Sequence, residues 1–567
     1  MRPFLVTELQ AGKLPRWGLL LLCLLYIVPG FIGRDPWRSD DAAGFGVAWA
    51  MAQGGARQWL LPEIAGEAVF DEGPLPFWFG AMAIRVLPML PAHVAMQLAA
   101  MLGLGLMFVA VWYASYRLAR RPGVQPADPF GAGADPVDFG RAVADSALLV
   151  LMATVGLIVR LHETSAEAAQ VVWVAVFLFS AAWSLERPML AGLATGAALG
   201  ATVLTRGLLP AVALAGAAVC LPLVSRAFRL VARRWLAVAL PAGVLAGLAW
   251  PLALSWSSMP EAQAHLGRWL AWNHSQFAGF ALEGLAYYAR TAPWYFWPAW
   301  PVALWAIVRW RGRLDEPAVA LPLVTLAWLT VSGIVGSAAP ESQMPMLAAT
   351  LAMLAAIGLP TLKRSVTSLI DWFAVMTYTV LGLVIWGYWL AFLTGFPPRM
   401  AVRAAALSPG YVPEWLPGAL LLGLAATLAW LALVRWRLAR HPPTLWRPVA
   451  LSCGGLVLAW LLLMSLWMPA VNHRNTYRDL AARMTLQLPP SYRCLDTLAL
   501  GQAQRATLHY FGDLRLGGAT QRCDWLLVQD VGPVSRQTAP ARDGWIFVWE
   551  GARPRDSDEK LRLYQRR

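Results

Sequence analysis

The chain has 567 residues, of which 58% are hydrophobic and 14% charged, with a formal net charge of +14. Apolar runs of roughly 17 or more residues recur from end to end, which excludes a water-soluble globular protein; their unbroken character excludes a β-barrel and leaves a helical bundle. The arginines fall in short loops between these runs, the pattern of a polytopic membrane protein and not of a nucleic-acid binder.

In chain order the predicted spans are 17–33, 93–115, 146–160, 166–184, 189–204, 208–224, 235–256, 293–309, 317–336, 344–360, 370–394, 415–434 and 449–469, about 13 in all. Lys13 and Arg16 precede the first apolar stretch as in a signal peptide. No small-residue cleavage site follows, so it reads as a retained first span. Segment 74–88 (PLPFWFGAMAIRVLP) is apolar but short, and is expected to lie in the membrane surface. Loop charge supports that choice. With the N-terminus inside, the clusters Arg117/Arg120/Arg121, Arg226/Arg229/Arg233/Arg234, Arg309/Arg311/Arg313, Lys363/Arg364 and Arg435/Arg437/Arg440 all face inward. If 74–88 crossed, all of them would face outward.

The outer side then holds three features. Loop 34–92 begins acidic, with seven Asp/Glu against three Arg over 34–73. Loop 257–292 carries His265, His274 and many aromatics. The tail 470–567 is polar; 475–487 reads as a short amphipathic helix, and 524–529 and 545–549 as strands. The fold class expected is therefore an α-helical polytopic membrane domain over 1–469, with in-plane helices in loop 34–92, followed by a small extracytoplasmic α/β domain over 470–567. Cys23, Cys220 and Cys453 lie in apolar spans as packing residues. Cys494 and Cys523 lie in the tail, where a disulfide and two unpaired thiols are equally open readings.

Nearly all acidic and histidine residues suited to chemistry fall on the outer side. Asp40 and Asp41 precede an expected helix over 42–53. Helix capping explains one of them well and two less well; the alternative reading is a general base at the membrane face. Asp71-Glu72-Gly73-Pro74 opens the in-plane segment, again as a cap or as a metal or phosphate-facing group. His162, Glu163 and Glu167 lie where span 146–160 emerges, with Glu163 and Glu167 on one helix face and Arg160 nearby to pair with one of them. Arg206, in Thr205-Arg206-Gly207, is an isolated cation in an outer turn. It is a candidate for holding a phosphate or for snorkelling to head groups.

Asp40-Asp41, then a helix, then Phe70-Asp71-Glu72-Gly73-Pro74-Leu75-Pro76-Phe77-Trp78 resembles the first outer loop of bacterial GT-C glycosyltransferases. Within these it resembles the aminoarabinose transferases that modify lipid A, relatives of protein O-mannosyltransferases. Leu204-Thr205-Arg206-Gly207 resembles a family span that ends in Thr-Lys-Gly. Trp272-Asn273-His274-Ser275-Gln276-Phe277 with Ala292-Pro293-Trp294-Tyr295-Phe296-Trp297-Pro298 resembles the family's later outer loop. The resemblance implies a GT-C fold and a polyprenyl-phosphate-linked sugar donor. It also implies a lipid (lipid A-like) or other acceptor, and an outer-face active site in a bacterial inner membrane. It implies catalytic roles for Asp40, Asp41 and Glu163, and donor phosphate binding by Arg206 and Arg38. Asp71 and His274 would be ligands of a divalent metal, zinc or another. Glu72, His162 and Glu167 are further candidates. Two departures bear on the sugar: Glu72 stands where the family has Lys, and Glu341-Ser342-Gln343 stands where a basic residue is expected. A non-catalytic assembly protein or a transporter of lipid-linked sugar are the alternatives. The scarcity of ionisable groups in the spans weighs against a transporter.

Overall fold

In the computed structural model the described residues are all but 1–5, 9, 13, 38, 127–132, 278, 280, 281, 337–339, 439–443, 518–522, 532–543 and 555–558. Among them, nine helices are long and apolar enough to cross a membrane, and each predicted span contains helix. The chain is a polytopic helical membrane protein with a small C-terminal sheet domain.

Several spans depart from the simple expectation. The first helix is Arg16–Ile27, short of the expected 17–33. Span 146–160 is two pieces, Pro136–Ala153 and Leu157–Arg160. They are separated at Gly156, where a Cβ would lie 2.3 Å from the Tyr295 ring. Span 293–309 is likewise interrupted, between Leu282–Tyr295 and Ala299–Trp310. The last span holds a π-helical turn over Leu463–Trp467. Loop 257–292 is mostly helical, through Pro260–Ser275. The in-plane expectation for 74–88 corresponds to one short helix, Leu75–Val86, packed on the helix Ser39–Gln53.

Small residues set how closely the helices Pro188–Arg206 and Arg226–Trp256 approach. Gly192, Gly196 and Gly200 recur every fourth residue and so share one face. A Cβ on Gly200 would stand 2.4 Å from the Ala246 Cβ, and one on Gly196 2.5 Å from the Ala242 Cβ. The Trp235 indole donates to the Thr195 hydroxyl at 3.0 Å across the same interface. This packing fixes the end of the first helix, where Arg206 sits.

The tail contains the helix Arg478–Thr485 and a four-stranded sheet. A hairpin of two-residue strands in segment 34–92 supplies β1 (Glu63–Ile64) and β2 (Glu67–Ala68). The tail sheet has the order β3-β4-β6-β5, built from β3 (Leu495–Leu498), β4 (Trp525–Val531), β5 (Trp545–Ala552) and β6 (Glu559–Arg566). β3 and β4 are parallel, joined through the helix Gln502–Gly512; the other pairs are antiparallel. Cys494 and Cys523 form a disulfide beside this crossover.

The sheet domain docks on segment 34–92. The helix Gln502–Gly512 packs against Ser39–Gln53, and a Cβ on Gly46 would meet the Ala506 Cβ at 2.5 Å. Asp35 anchors the connection: it accepts from Arg478 at 2.6 Å, from Thr476 at 2.8 Å and from Asn472 at 3.2 Å. Burial pushes the Asp35 carboxyl up, but the hydrogen bonds from Arg478 and Thr476 outweigh it and hold the group below its usual range.

Candidate active site

Three sequence-distant motifs meet at the end of the helix Pro188–Arg206. The Gly73 N–H donates to the Thr205 carbonyl at 3.1 Å. A Cβ on Gly73 would lie 2.0 Å from the Leu204 carbonyl oxygen, so only glycine fits there. Asn273 Oδ1 accepts from the Leu208 N–H at 2.7 Å, and its amide nitrogen donates to the Trp269 carbonyl at 2.9 Å. Gly207 between them has φ +82°, and a Cβ there would sit 2.3 Å from Asn273 Oδ1. Asn273 thus supplies the acceptor that the first N–H of the helix Leu208–Val224 lacks. Trp173 closes the turn by donating to the Thr205 hydroxyl at 3.0 Å.

This scaffold gathers the charged groups. Arg206 Nη1 is 3.1 Å from Glu72 Oε1, and its Nη2 is 3.5 Å from Glu167 Oε1. Arg160 is the second cation. It lies 2.7 Å from Glu341, 3.8 Å from both Glu163 and Glu167, and 3.9 Å from Asp40. Glu167 therefore bridges the two guanidinium groups. Five carboxylates (Asp40, Glu72, Glu163, Glu167 and Glu341) surround two arginines. Desolvation pushes the Glu72 carboxyl up to about 8; Arg206 pulls it down, while Asp71, Glu167 and Asp40 add to the rise.

The adjacent aspartates diverge. Asp40 is about half exposed at 48%, beside Arg160. Asp41 is buried, and its carboxylate accepts from Arg34 at 2.5 Å and from the Thr164 N–H and hydroxyl at 2.7 and 2.8 Å. Arg34 also donates to the His162 carbonyl at 2.6 Å. Both oxygens of Asp41 are thus engaged in fastening the segment that follows Arg34 to segment 162–164.

The remaining candidates separate. His162 is fully buried, and both its ring nitrogens face backbone carbonyls, of Ile158 on one side and Tyr26 and Ile27 on the other. Burial lowers it to about 4. It packs against Phe31 and Trp460 and stands apart from the carboxylate cluster as an interior residue. His274 is exposed, and its ring makes no hydrogen bond or ion pair among the described residues. Asp71 is half-buried beside Glu72. Arg38 lies outside the described residues. Among the described residues no three His, Cys, Asp or Glu side chains are grouped to hold a metal. Asp71 and His274 alone fall short of the three or four protein donors of a zinc site. Arg160 and Glu341 complete the cluster beyond the residues singled out from sequence. Arg160 carries the same signal as Arg206, a lone arginine at the end of an apolar span.

An apolar groove of about 500 Å³ opens beside the cluster. Its walls are the helices Leu75–Val86, Ala92–Ala119 and Ala166–Ser184. Phe79, Leu102 and Val172 line the apolar part, and Glu163, Thr164 and Ser165 its polar end. Glu163 faces both the groove and Arg160.

Comparison of the sequence with protein-family models and with curated proteins finds no match. Comparison of the structure does. ArnT from Cupriavidus metallidurans, solved bound to undecaprenyl phosphate, aligns over 96% of this chain and 98% of its own, at TM-score 0.68 and 16% identity. The apo form of the same protein aligns over 96% and 97%, at TM-score 0.65 and 15% identity. The archaeal oligosaccharyltransferase AglB from Archaeoglobus fulgidus aligns over 90% of this chain and 69% of its own, at TM-score 0.48 and 10% identity. Resting on the two ArnT structures, which match it nearly end to end, this chain has the GT-C fold of ArnT.

Proposed function

We propose that the chain is a membrane glycosyltransferase that moves a sugar from a polyprenyl-phosphate donor to a lipid or other acceptor at the outer face of a bacterial inner membrane. The observation that carries this reading is the joining of the apolar groove to the Arg160–Arg206 cluster through Glu163. A polyprenyl tail occupies the groove. The phosphate sits at its polar end within reach of the two cations, displacing their carboxylate partners. The solved ArnT complex with undecaprenyl phosphate supports a lipid phosphate as the ligand class.

In the reaction, the acceptor oxygen attacks the anomeric carbon while the bond from that carbon to the phosphate oxygen breaks. The bonding pair leaves with the phosphate, giving free polyprenyl phosphate, and the configuration at the anomeric carbon inverts. Arg206 and Arg160 stabilise the charge that grows on the leaving phosphate. Asp40, a half-exposed carboxylate of the cluster, takes the proton of an acceptor hydroxyl. An acceptor that is already a phosphate needs no base. Glu72, neutral at pH 7, leaves Arg206 freer to meet the phosphate. The excess of carboxylates over arginines favours a substrate with positive charge, such as an amino sugar. The outer side is the one that carries the cluster and the sheet domain, with the N-terminus in the cytoplasm. The test is transfer from a radiolabelled polyprenyl-phosphate sugar in membranes carrying Asp40→Asn. With a hydroxyl acceptor, a rate near wild type rules out the role assigned to Asp40.

A further inference from the structure

A second groove lies at the same end of the bundle, away from the helices that wall the first. Its volume is about 610 Å³. Val384 on the helix Arg364–Thr394, Leu407 on the helix Pro398–Leu407, and Leu463 and Trp467 on the π-helical turn form its apolar part. Two arginines from different elements, Arg403 and Arg474, stand at its edge. Neither makes an ion pair among the described residues. The Arg474 Nε is buried without a hydrogen-bond partner. Three observations converge. Positive residues are scarce on the outer side of a bilayer protein, yet two point to one groove. The π turn that shapes it is a departure from regular helix of a kind found at functional sites. It is held open by Trp467, which stacks on Phe392 and donates to the Ile385 carbonyl at 3.3 Å.

We infer that this groove binds a membrane lipid with an anionic phosphate headgroup, its acyl chain on Val384, Leu407, Leu463 and Trp467 and its phosphate between Arg403 and Arg474. Unpaired arginines over an apolar floor complement a phosphate above a hydrocarbon chain, and a neutral lipid leaves both cations unmatched. The site is independent of the transferase reading. Its position gives it a consequence: segment 470–475 lines the groove and continues into Thr476 and Arg478, which grip Asp35. A lipid seated there braces the segment from which the sheet domain hangs.

The test uses the full-length protein in detergent, titrated with phosphatidylglycerol or phosphatidylcholine and read by native mass spectrometry. The wild type is expected to retain phosphatidylglycerol in preference to phosphatidylcholine. Each arginine removed is expected to cost about fivefold in that preference, so that Arg403→Gln with Arg474→Gln nearly abolishes it. A second variant, Leu407→Trp, fills the groove and is expected to reduce retention of both lipids while both arginines remain. Millimolar inorganic phosphate is expected not to displace the lipid; displacement would show an anion site without a lipid site and overturn the proposal. Equal retention of the two lipids by the wild type, or an unchanged preference in a folded double variant, would also overturn it.

Discussion

Glu72 Oε1 lies 3.1 Å from Arg206 Nη1, joining two residues 134 apart in sequence. Neither side chain alone fixes this distance. It follows from Gly73, which lies against the Leu204 and Thr205 carbonyls, and from Asn273, which holds the Gly207 turn. The cluster is therefore set by backbone packing of three loops.

The pair makes a pH prediction. Burial raises Glu72 to about 8 from an ordinary 4.5. The folded protein holds a proton there that the unfolded chain releases between these values. The associated stability is complete below about pH 4.5 and is lost as pH rises through 8. Glu72→Gln is expected to remove this part of the pH dependence in thermal melts. The donor KM is expected to rise above pH 8 in the wild type, as the Glu72 anion competes for Arg206, and to stay flat in Glu72→Gln. An unchanged KM profile in the variant would show that Glu72 does not compete with donor.

The neighbouring aspartates are expected to fail differently. Asp41→Asn breaks a buried pair with Arg34 and a contact with Thr164, at a cost of about 3–5 kcal/mol, seen as a lower Tm and poor yield. Asp40→Asn is expected to keep the wild-type Tm and to lose about 10²–10⁴ in kcat with a hydroxyl acceptor. Similar Tm losses in both variants would contradict the division of labour.

Gly73→Ala is a test of the scaffold. The added methyl has no room against the Leu204 carbonyl, so the loop carrying Glu72 must move. Transfer is expected to fall at least about tenfold, the scale of a misplaced substrate-positioning group. Gly105→Ala, where a Cβ meets nothing within 4 Å, is the control and is expected to be silent.

Docking of the sheet domain is expected to be acid-sensitive. Asp35 is held below its usual range, so its contribution is present at neutral pH and lost as pH falls through the folded value. Arg478→Gln is expected to lower the amide protection factors over 472–478 at pH 7, a loss that acid reproduces in the wild type once intrinsic rates are corrected for pH. Unaltered exchange would place the hold on the domain elsewhere, at Gly46 and Ala506.

Much of this was legible in the sequence because hydropathy over long runs is a strong signal. The helical spans and the tail strands follow from it, as does a short helix within 74–88. The interruption at Gly156 was not legible, since both pieces are apolar and the break lies against a distant Tyr295; the one at Trp297 is marked by Pro298. Asp40 and Asp41 are indistinguishable in sequence; which one turns inward depends on Arg34 and Thr164. His162 had the composition of a site residue but is buried by contacts with Tyr26, Phe31 and Trp460. In sequence, Arg160 is a local partner for Glu163 or Glu167. Its reach to Glu341, 181 residues away, belongs to tertiary packing alone.

The central claim is tested most directly by single-turnover transfer with purified protein in lipid nanodiscs, from a radiolabelled polyprenyl-phosphate amino sugar, comparing wild type with Arg206→Gln and Arg160→Gln. The account predicts release of free polyprenyl phosphate by the wild type and a loss of about 10²–10³ in rate for each variant at unchanged Tm. Transfer by the folded variants at the wild-type rate, or none by the wild type with either amino or neutral sugars, would contradict it.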